Sequence, residues 1–121
     1  MANPNIVNTS SILGETEGKV LSTTKQIIAE NTANSNRVLK VNTLMISNRD
    51  TAYSLRVDAF FRRAGFDYVI AKGLPIPPNA TVVLISKDNS IYLREGDAVV
   101  AAGEEAAVNN CHAICSYEVI T

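Results

Sequence analysis

Apolar and polar residues alternate along much of the chain with the two-residue period that is typical of β-strands. The alternation is clearest in residues 52–62, where one face consists of Tyr53, Leu55, Val57, Ala59 and Phe61. The opposite face is polar except for Phe60. This pattern predicts a half-buried antiparallel strand, with the five residues of the first face in the core and solvent on the other face.

Two other strand candidates depart from simple alternation. Residues 38–47 alternate as far as Thr43 and are then consecutively apolar at Leu44, Met45 and Ile46. This strand is therefore either covered on both faces at its far end or bulged. Residues 111–120 carry apolar side chains on both faces, which predicts a central position in a sheet or burial under a partner.

The segment 73–101 contains three short runs that favour β-structure, at residues 81–85, 91–93 and 98–100. Polar turn clusters separate them at residues 87–90 and 94–97. The runs are preceded by Pro75, Pro77 and Pro78. Because proline lacks an N–H and fixes φ, this preceding stretch is predicted to be an edge strand or a loop.

Further short runs at residues 18–22, 25–29 and 66–71 predict additional strands, and residues 101–110 predict a turn or a single helical turn. Among these candidates we expect about seven or eight short strands, at a spacing of roughly ten residues. This spacing is typical of an all-β fold, either an antiparallel β-sandwich or a jelly-roll-like arrangement.

Residues 1–16 are rich in Asn, Ser and Thr and are predicted to form an N-terminal arm, followed by a single β-sandwich domain over residues 17–121. A loose terminus is the simpler interpretation. The alternative is an arm that docks on a neighbouring subunit, because a solvated tail has no use for its apolar residues Ile6, Val7, Ile12 and Leu13.

Arg62 and Arg63 stand at a predicted hairpin tip. They could bind a phosphate or an acidic partner, but two arginines do not make a basic patch, and a solubilising role is the simpler interpretation. The net charge of the chain is −1, which gives no electrostatic case for a nucleic acid or an anionic membrane. No apolar run approaches the length of about 20 residues that spans a bilayer, and the first residues do not have the pattern of a secretory signal.

The chemistry-bearing residues are few, and they indicate neither an enzyme nor a cofactor site. His112 is the only histidine, and it lies between the only cysteines, Cys111 and Cys115. A strand separates residues four apart by roughly 13 Å, too far for a disulfide or a shared zinc ion. We therefore expect two free thiols, no metal site, no cofactor and no nucleophile–histidine–acid constellation.

Most of the chain resembles a family of small virion structural proteins of tailed bacteriophages, especially T4-like phages of marine cyanobacteria. The residues that carry the resemblance are 1–8 (MANPNIVN), 38–48 (VLKVNTLMISN), 76–88 (IPPNATVVLISKD), 91–97 (IYLREGD) and 113–118 (AICSYE). The resemblance implies a non-enzymatic all-β component of the particle that is assembled in the host cytoplasm. Its implied partners are the major capsid protein or other virion subunits, with a homo-oligomer as a further option.

Within that family, the expected function is a decoration or cement protein bound to the outside of the capsid. A tail or neck accessory protein is one alternative. A carbohydrate-binding β-sandwich that attaches to the host is another, although the chain has few aromatic residues and no tryptophan. A small enzyme of cupin-like shape would need several metal ligands, which a single histidine cannot supply.

Overall fold

The computed structural model describes residues 11–107 and 109–121, and these residues form nine β-strands and two short 3₁₀ helices. The strands are β1 (Ile12–Val20), β2 (Gln26–Glu30), β3 (Val38–Asn48), β4 (Leu55–Arg63), β5 (Phe66–Ile76), β6 (Thr81–Ile85), β7 (Ile91–Leu93), β8 (Ala98–Gly103) and β9 (Cys111–Ile120). The 3₁₀ helices are Lys87–Asn89 and Glu105–Ala107.

The strands form two antiparallel sheets that pack face to face. Sheet A has the order β1-β9-β3-β6, and β7 also pairs with β3. Sheet B has the order β2-β8-β4-β5. The predicted antiparallel β-sandwich is therefore confirmed. The described residues contain nine strands, slightly more than the predicted seven or eight.

The core consists of the inward side chains of both sheets, and its largest fully buried members come from all parts of the chain: Leu21, Leu44, Ile46, Ile76, Ile85 and Leu93. Strand β9 occupies the centre of sheet A between β1 and β3. This is the central position that its apolar residues predict.

Strand β3 contains the bulge that the broken alternation of its sequence suggests. Val41 pairs with Tyr117 and Thr43 pairs with Ser116, so Asn42 is the extra residue of the bulge. The extra residue shifts the inward phase from Leu39 and Val41 before the bulge to residues 44 and 46 after it, and all four of these side chains are buried. A bulge therefore explains the consecutive apolar residues of this segment.

The prediction that Tyr53 faces the core is wrong. Strand β4 begins only at Leu55, and Tyr53 is 71% exposed in the connection from sheet A to sheet B. The carboxylate of Asp50 accepts hydrogen bonds from the backbone N–H groups of Ala52 (2.8 Å) and Tyr53 (3.0 Å), which closes a local turn. That turn removes Tyr53 from the strand, whereas residues 55, 57 and 59 are buried as predicted.

The outer face of β4 is less exposed to solvent than its sequence indicates. Phe60 is buried and packs in a small cluster with Ala98 and Val100 on the outer side of sheet B. The ammonium groups of Lys25 and Lys72 lie 4.3 and 5.8 Å from the centre of its ring. These long side chains cover the aromatic ring, and their ammonium groups pair with Asp67 and Asp58, respectively.

Two boundaries differ from the sequence-based expectations. Strand β5 runs from Phe66 to Ile76 rather than over residues 66–71, and it forms the edge of sheet B, where its Pro75 is tolerated. Strand β1 is continuous across the predicted limit between arm and domain at residues 16 and 17, so residues 12–16 belong to the sheet.

The buried and exposed positions of β4 make a direct test of the core assignment. We expect Leu55→Ala to lower the free energy of unfolding by about 2–5 kcal/mol, because it leaves a cavity under a fully buried side chain. Tyr53→Ala is the matched control and should change stability by less than about 0.5 kcal/mol. Urea unfolding of both variants measures this, and equal losses would contradict the assignment.

Candidate functional site

The open edge of sheet A is the candidate functional site. Strand β1 pairs with β9 along all nine of its residues, from Ile12 opposite Ile120 to Val20 opposite His112. Every residue of β1 is nevertheless exposed. Within residues 11–107 and 109–121, β9 is the only strand that pairs with β1, so the other side of β1 is open.

The hydrogen bonds at the two ends of β1 show which backbone groups point outward. Ser11 and Thr121 exchange both of their backbone hydrogen bonds (3.4 and 3.0 Å), and the N–H of Leu21 donates to the carbonyl of Cys111 (2.9 Å). In an antiparallel pair, bonded residues alternate with residues that point away from the partner. The residues whose N–H and C=O groups point away from β9 are therefore Ile12, Gly14, Thr16, Gly18 and Val20.

The side chains of β1 divide into two different faces. The residues on the face that continues the core side of β9 are Leu13, Glu15, Glu17 and Lys19, which stand opposite Val119, Tyr117, Cys115 and Ala113. All four of these side chains are exposed, so sheet B leaves this face of β1 uncovered. Charges on the inner side of an edge strand are a common means of preventing unwanted pairing of edges.

The outer face of β1 carries small side chains. Thr16 bonds to Ser116 on β9 (3.0 Å between the hydroxyl oxygens). Gly18 leaves an open notch of about 260 Å³ that is lined by Val20, His112 and Ile114. A Cβ atom at Gly18 would lie 4.0 Å from the nearest heavy atom, the carbonyl oxygen of Ala113, so the notch has room for a side chain.

The predicted partner-binding residues do not come together in one site. Ile12 and Leu13 lie on the open edge, 62% and 59% exposed. Ile6 and Val7 fall outside the described residues. Arg62 and Arg63 lie at the β4–β5 hairpin. In sheet B, strand β8 stands between this hairpin and β2. The structure therefore does not bring the arginines together with β1, which contacts β2.

Both arginines of the hairpin are engaged by acidic residues of the same chain. The Arg62 guanidinium donates to Asp67 (2.6 Å), which also accepts from Lys25 (2.7 Å). Hydrogen bonds from Arg62 and then from Lys25 lower the pKa of Asp67 from 3.8 to about 2. Arg63 donates to the buried Asp97 (2.6 Å), and this hydrogen bond raises the pKa of Arg63.

The cysteines are free thiols, as predicted, and both are buried on the inner face of β9. Burial is the main cause that raises the pKa of Cys111 to about 11 and of Cys115 to about 12. His112 lies between them on the opposite face of the strand. In the described part of the chain, no three His, Cys, Asp or Glu side chains form a group that could hold a metal ion.

Sequence reasoning missed an exposed aromatic pair at the β4–β5 hairpin. The rings of Phe66 and Tyr68 lie 4.7 Å apart at 65° to each other, and both side chains are more than half exposed. Sequence reasoning also missed the open edge of β1, although residues 14–18 (GETEG) alternate small and acidic residues in a way that could have indicated a half-exposed strand.

Comparisons with known proteins do not assign a family. No family model and no curated protein matches the chain. One similar solved structure belongs to Bacillus endospore appendages, described as a novel family of disulfide-linked pili; it is 16% identical, with a TM-score of 0.46, over 100% of this chain and 96% of that chain. This similarity is too low to support an inference about function. The described residues contain no helix with the length and apolar character needed to cross a membrane.

The buried thiols should be chemically inert in the folded protein. We expect Cys111 and Cys115 to resist iodoacetamide at pH 8, because only the thiolate reacts and burial disfavours it. Both should react at once in denaturant. Mass spectrometry of the alkylated protein measures this, and rapid modification of either cysteine without denaturant would contradict the burial of β9.

The Asp67 ion pairs should make the free energy of unfolding depend on pH in the acidic range. Because the pKa of Asp67 in the folded state lies below its ordinary value, the ion pairs stabilise the protein above pH 3.8, and this contribution is lost as pH falls through about 2. We expect Asp67→Asn to lower stability by about 1 kcal/mol at pH 7 and to match the wild type near pH 2. Urea unfolding at both pH values tests this, and a difference that persists undiminished in acid would contradict it.

Proposed function

We propose that this chain is a non-enzymatic structural protein of a tailed-phage virion. In this proposal it is a decoration or cement protein that binds the outside of the capsid, where it docks on the major capsid protein or on other virion subunits. The resemblance of residues 38–48, 76–88 and 91–97 to such proteins supplies the setting. The observation that carries the docking role is the nine-residue strand β1, which is paired on one side only and exposed throughout.

An open strand edge is suited to binding other polypeptides. A partner strand can pair with the five outward-directed residues of β1 through main-chain hydrogen bonds, and alternate side chains then fix the register. Each such bond contributes only about 1 kcal/mol net. A single docked strand is therefore a weak contact, but repetition over a symmetric particle turns many weak contacts into firm attachment.

The remaining predicted contact residues fit this proposal to different degrees. Ile12 and Leu13 are part of the docking edge, and Ile6 and Val7 precede it in the chain and are proposed to extend the contact. Arg62 and Arg63 are engaged by Asp67 and Asp97, so we assign them to the integrity of sheet B rather than to docking.

A non-catalytic role belongs to the same proposal. The closest groupings of charged side chains are ion pairs within sheet B and its connections. Asp67 on β5 pairs with Arg62 on β4 and with Lys25, which precedes β2 at the other edge of the sheet, and Arg63 pairs with Asp97 just before β8. A tail or neck accessory protein would use the same edge of β1 at a different place on the particle.

A host-surface carbohydrate-binding module is the second candidate, and the exposed Phe66 and Tyr68 favour it. Their rings meet at 65°, however, and so do not present the single flat surface on which a sugar ring stacks. The open backbone edge is the stronger feature, and docking on protein is the better supported function.

Thr16→Pro tests the docking role because it removes one outward N–H donor without removing a bond to β9. Thr16→Ala is the matched control, since it loses the hydroxyl contact with Ser116 but keeps the amide. We expect both variants to fold, as circular dichroism and urea unfolding would show. Only the proline variant should fail to join particles, measured as its copy number in purified virions.

Wild-type occupancy by the folded proline variant would contradict docking through β1. A second variant, Ile6→Asn with Val7→Asn, separates the contribution of the preceding residues from that of the edge. If this variant alone loses occupancy, docking depends on residues 1–10 and not on β1.

A further inference from the structure

We propose that the strand which docks on β1 comes from a different protein and carries the pattern apolar–basic–any–basic–apolar. This inference rests on the proposed docking role of β1 and names the chemistry of its partner. It combines three features of the same edge, which are the outward backbone groups, the two acidic side chains between them, and the glycines that flank those acids.

The backbone of β1 fixes where the side chains of an added strand must lie. Gly14, Thr16 and Gly18 direct their N–H and C=O groups away from β9, so they would pair with the incoming strand. The residues opposite Gly14 and Gly18 would then place their side chains on the outer face of sheet A. The residues opposite Glu15 and Glu17 would place theirs on the inner face.

The inner face requires positive charge in the partner. Glu15 and Glu17 are exposed, and neither takes part in any of the four ion pairs of the described residues. Their side chains would stand directly opposite the partner's residues, where opposite charges stabilise a pair of strands and like charges destabilise it. Lys or Arg at two alternate positions therefore complements this face.

The outer face requires large side chains in the partner strand. Apart from Gly14 itself and its two chain neighbours, no residue has a heavy atom within 4 Å of the place where a Cβ of Gly14 would be. Gly18 opens the notch beside Val20, His112 and Ile114. A large side chain on the neighbouring strand can lie across an edge glycine and shield its backbone. Tyrosine, phenylalanine or another large apolar residue opposite Gly18 would fill the notch, and the same residue type would cover Gly14.

A second copy of this chain does not supply such a strand. Antiparallel pairing of two β1 strands about Thr16 would set Glu15 of each copy opposite Glu17 of the other, which places four carboxylates together. No two of the eleven Lys and Arg residues of the chain stand two positions apart, so no other segment of it carries the pattern. In this register, where both glutamates of each copy are paired, the charges of β1 disfavour self-pairing, and a strand that complements both glutamates must come from another protein.

The test uses the full chain and a synthetic peptide, acetyl-Thr-Tyr-Lys-Thr-Lys-Tyr-Thr-amide, with binding followed by NMR titration of the amide signals. We expect shifts at Gly14, Thr16 and Gly18, and weaker binding at high salt. The control peptide has Glu in place of both Lys and should produce no shifts. Equal shifts with both peptides, or shifts confined to another surface, would overturn the proposal.

Matched protein variants sharpen the result. Glu15→Lys with Glu17→Lys should weaken binding of the lysine peptide roughly ten-fold and create binding of the glutamate peptide. Glu15→Gln with Glu17→Gln is a milder change. It should weaken binding of the lysine peptide without creating binding of the glutamate peptide. Gly18→Val should weaken binding of the tyrosine-containing peptide but not of a peptide with Gly in place of Tyr.

These outcomes separate the inference from the proposed function. If Thr16→Pro prevents particle docking while the charge-reversed variant docks and binds the lysine peptide as the wild type does, β1 is a docking edge but its partner is not selected by charge. If Thr16→Pro docks normally, the proposed function itself fails, whatever the peptides show.

Discussion

The two-sided pairing of β9 is the interaction on which the rest of the structure depends. Its backbone bonds to β3 on one side and to β1 on the other. Its inward side chains, which include the small residues Ala113 and Cys115, are buried in the core between the sheets. Because every inward residue of β9 is buried, the strand cannot shift by one residue without exposing that set and burying the partly polar outer one.

This pairing also determines where sheet A ends. Because the backbone of β9 is hydrogen-bonded on both sides, β1 becomes the edge strand of sheet A. Strand β1 gains hydrogen bonds to β9, but its side chains are not buried. An edge of this kind invites pairing with other chains, and proteins commonly protect it with charges or with short strands. Here the strand is long, and its protection consists of Glu15, Glu17 and Lys19. The same charges that discourage random pairing give the edge a preference for one kind of partner.

Local patterns were sufficient to predict the fold class and several elements. The alternation at Leu55, Val57 and Ala59 predicted a buried face, Pro75 predicted an edge, and the apolar faces of β9 predicted a central strand. Tyr53 was misplaced because a turn closed by the Asp50 carboxylate ends the strand pattern early. The burial of Phe60 depends on Lys25 and Lys72, which lie far from it in sequence, so a local pattern cannot show it.

The candidate site was harder to predict for the same reason. Ile12 and Leu13 stood out as apolar residues near the start of the chain, but their place on an open edge follows from the order of strands in sheet A. That order depends on contacts between β1 and β9, which are about 100 residues apart in the chain. Arg62 and Arg63 were predicted as contact residues because their acidic partners, Asp67 and Asp97, could not be identified from the sequence alone.

Amide hydrogen exchange along β1 tests the docking edge most directly, because neighbouring residues serve as controls for one another. In the free protein, the amides of Leu13, Glu15, Glu17 and Lys19 should exchange slowly, whereas those of Gly14, Thr16 and Gly18 should exchange fast. After docking on the particle, the second set should become protected as well. Fast exchange of Gly14, Thr16 and Gly18 that persists in the assembled particle would contradict docking through this edge.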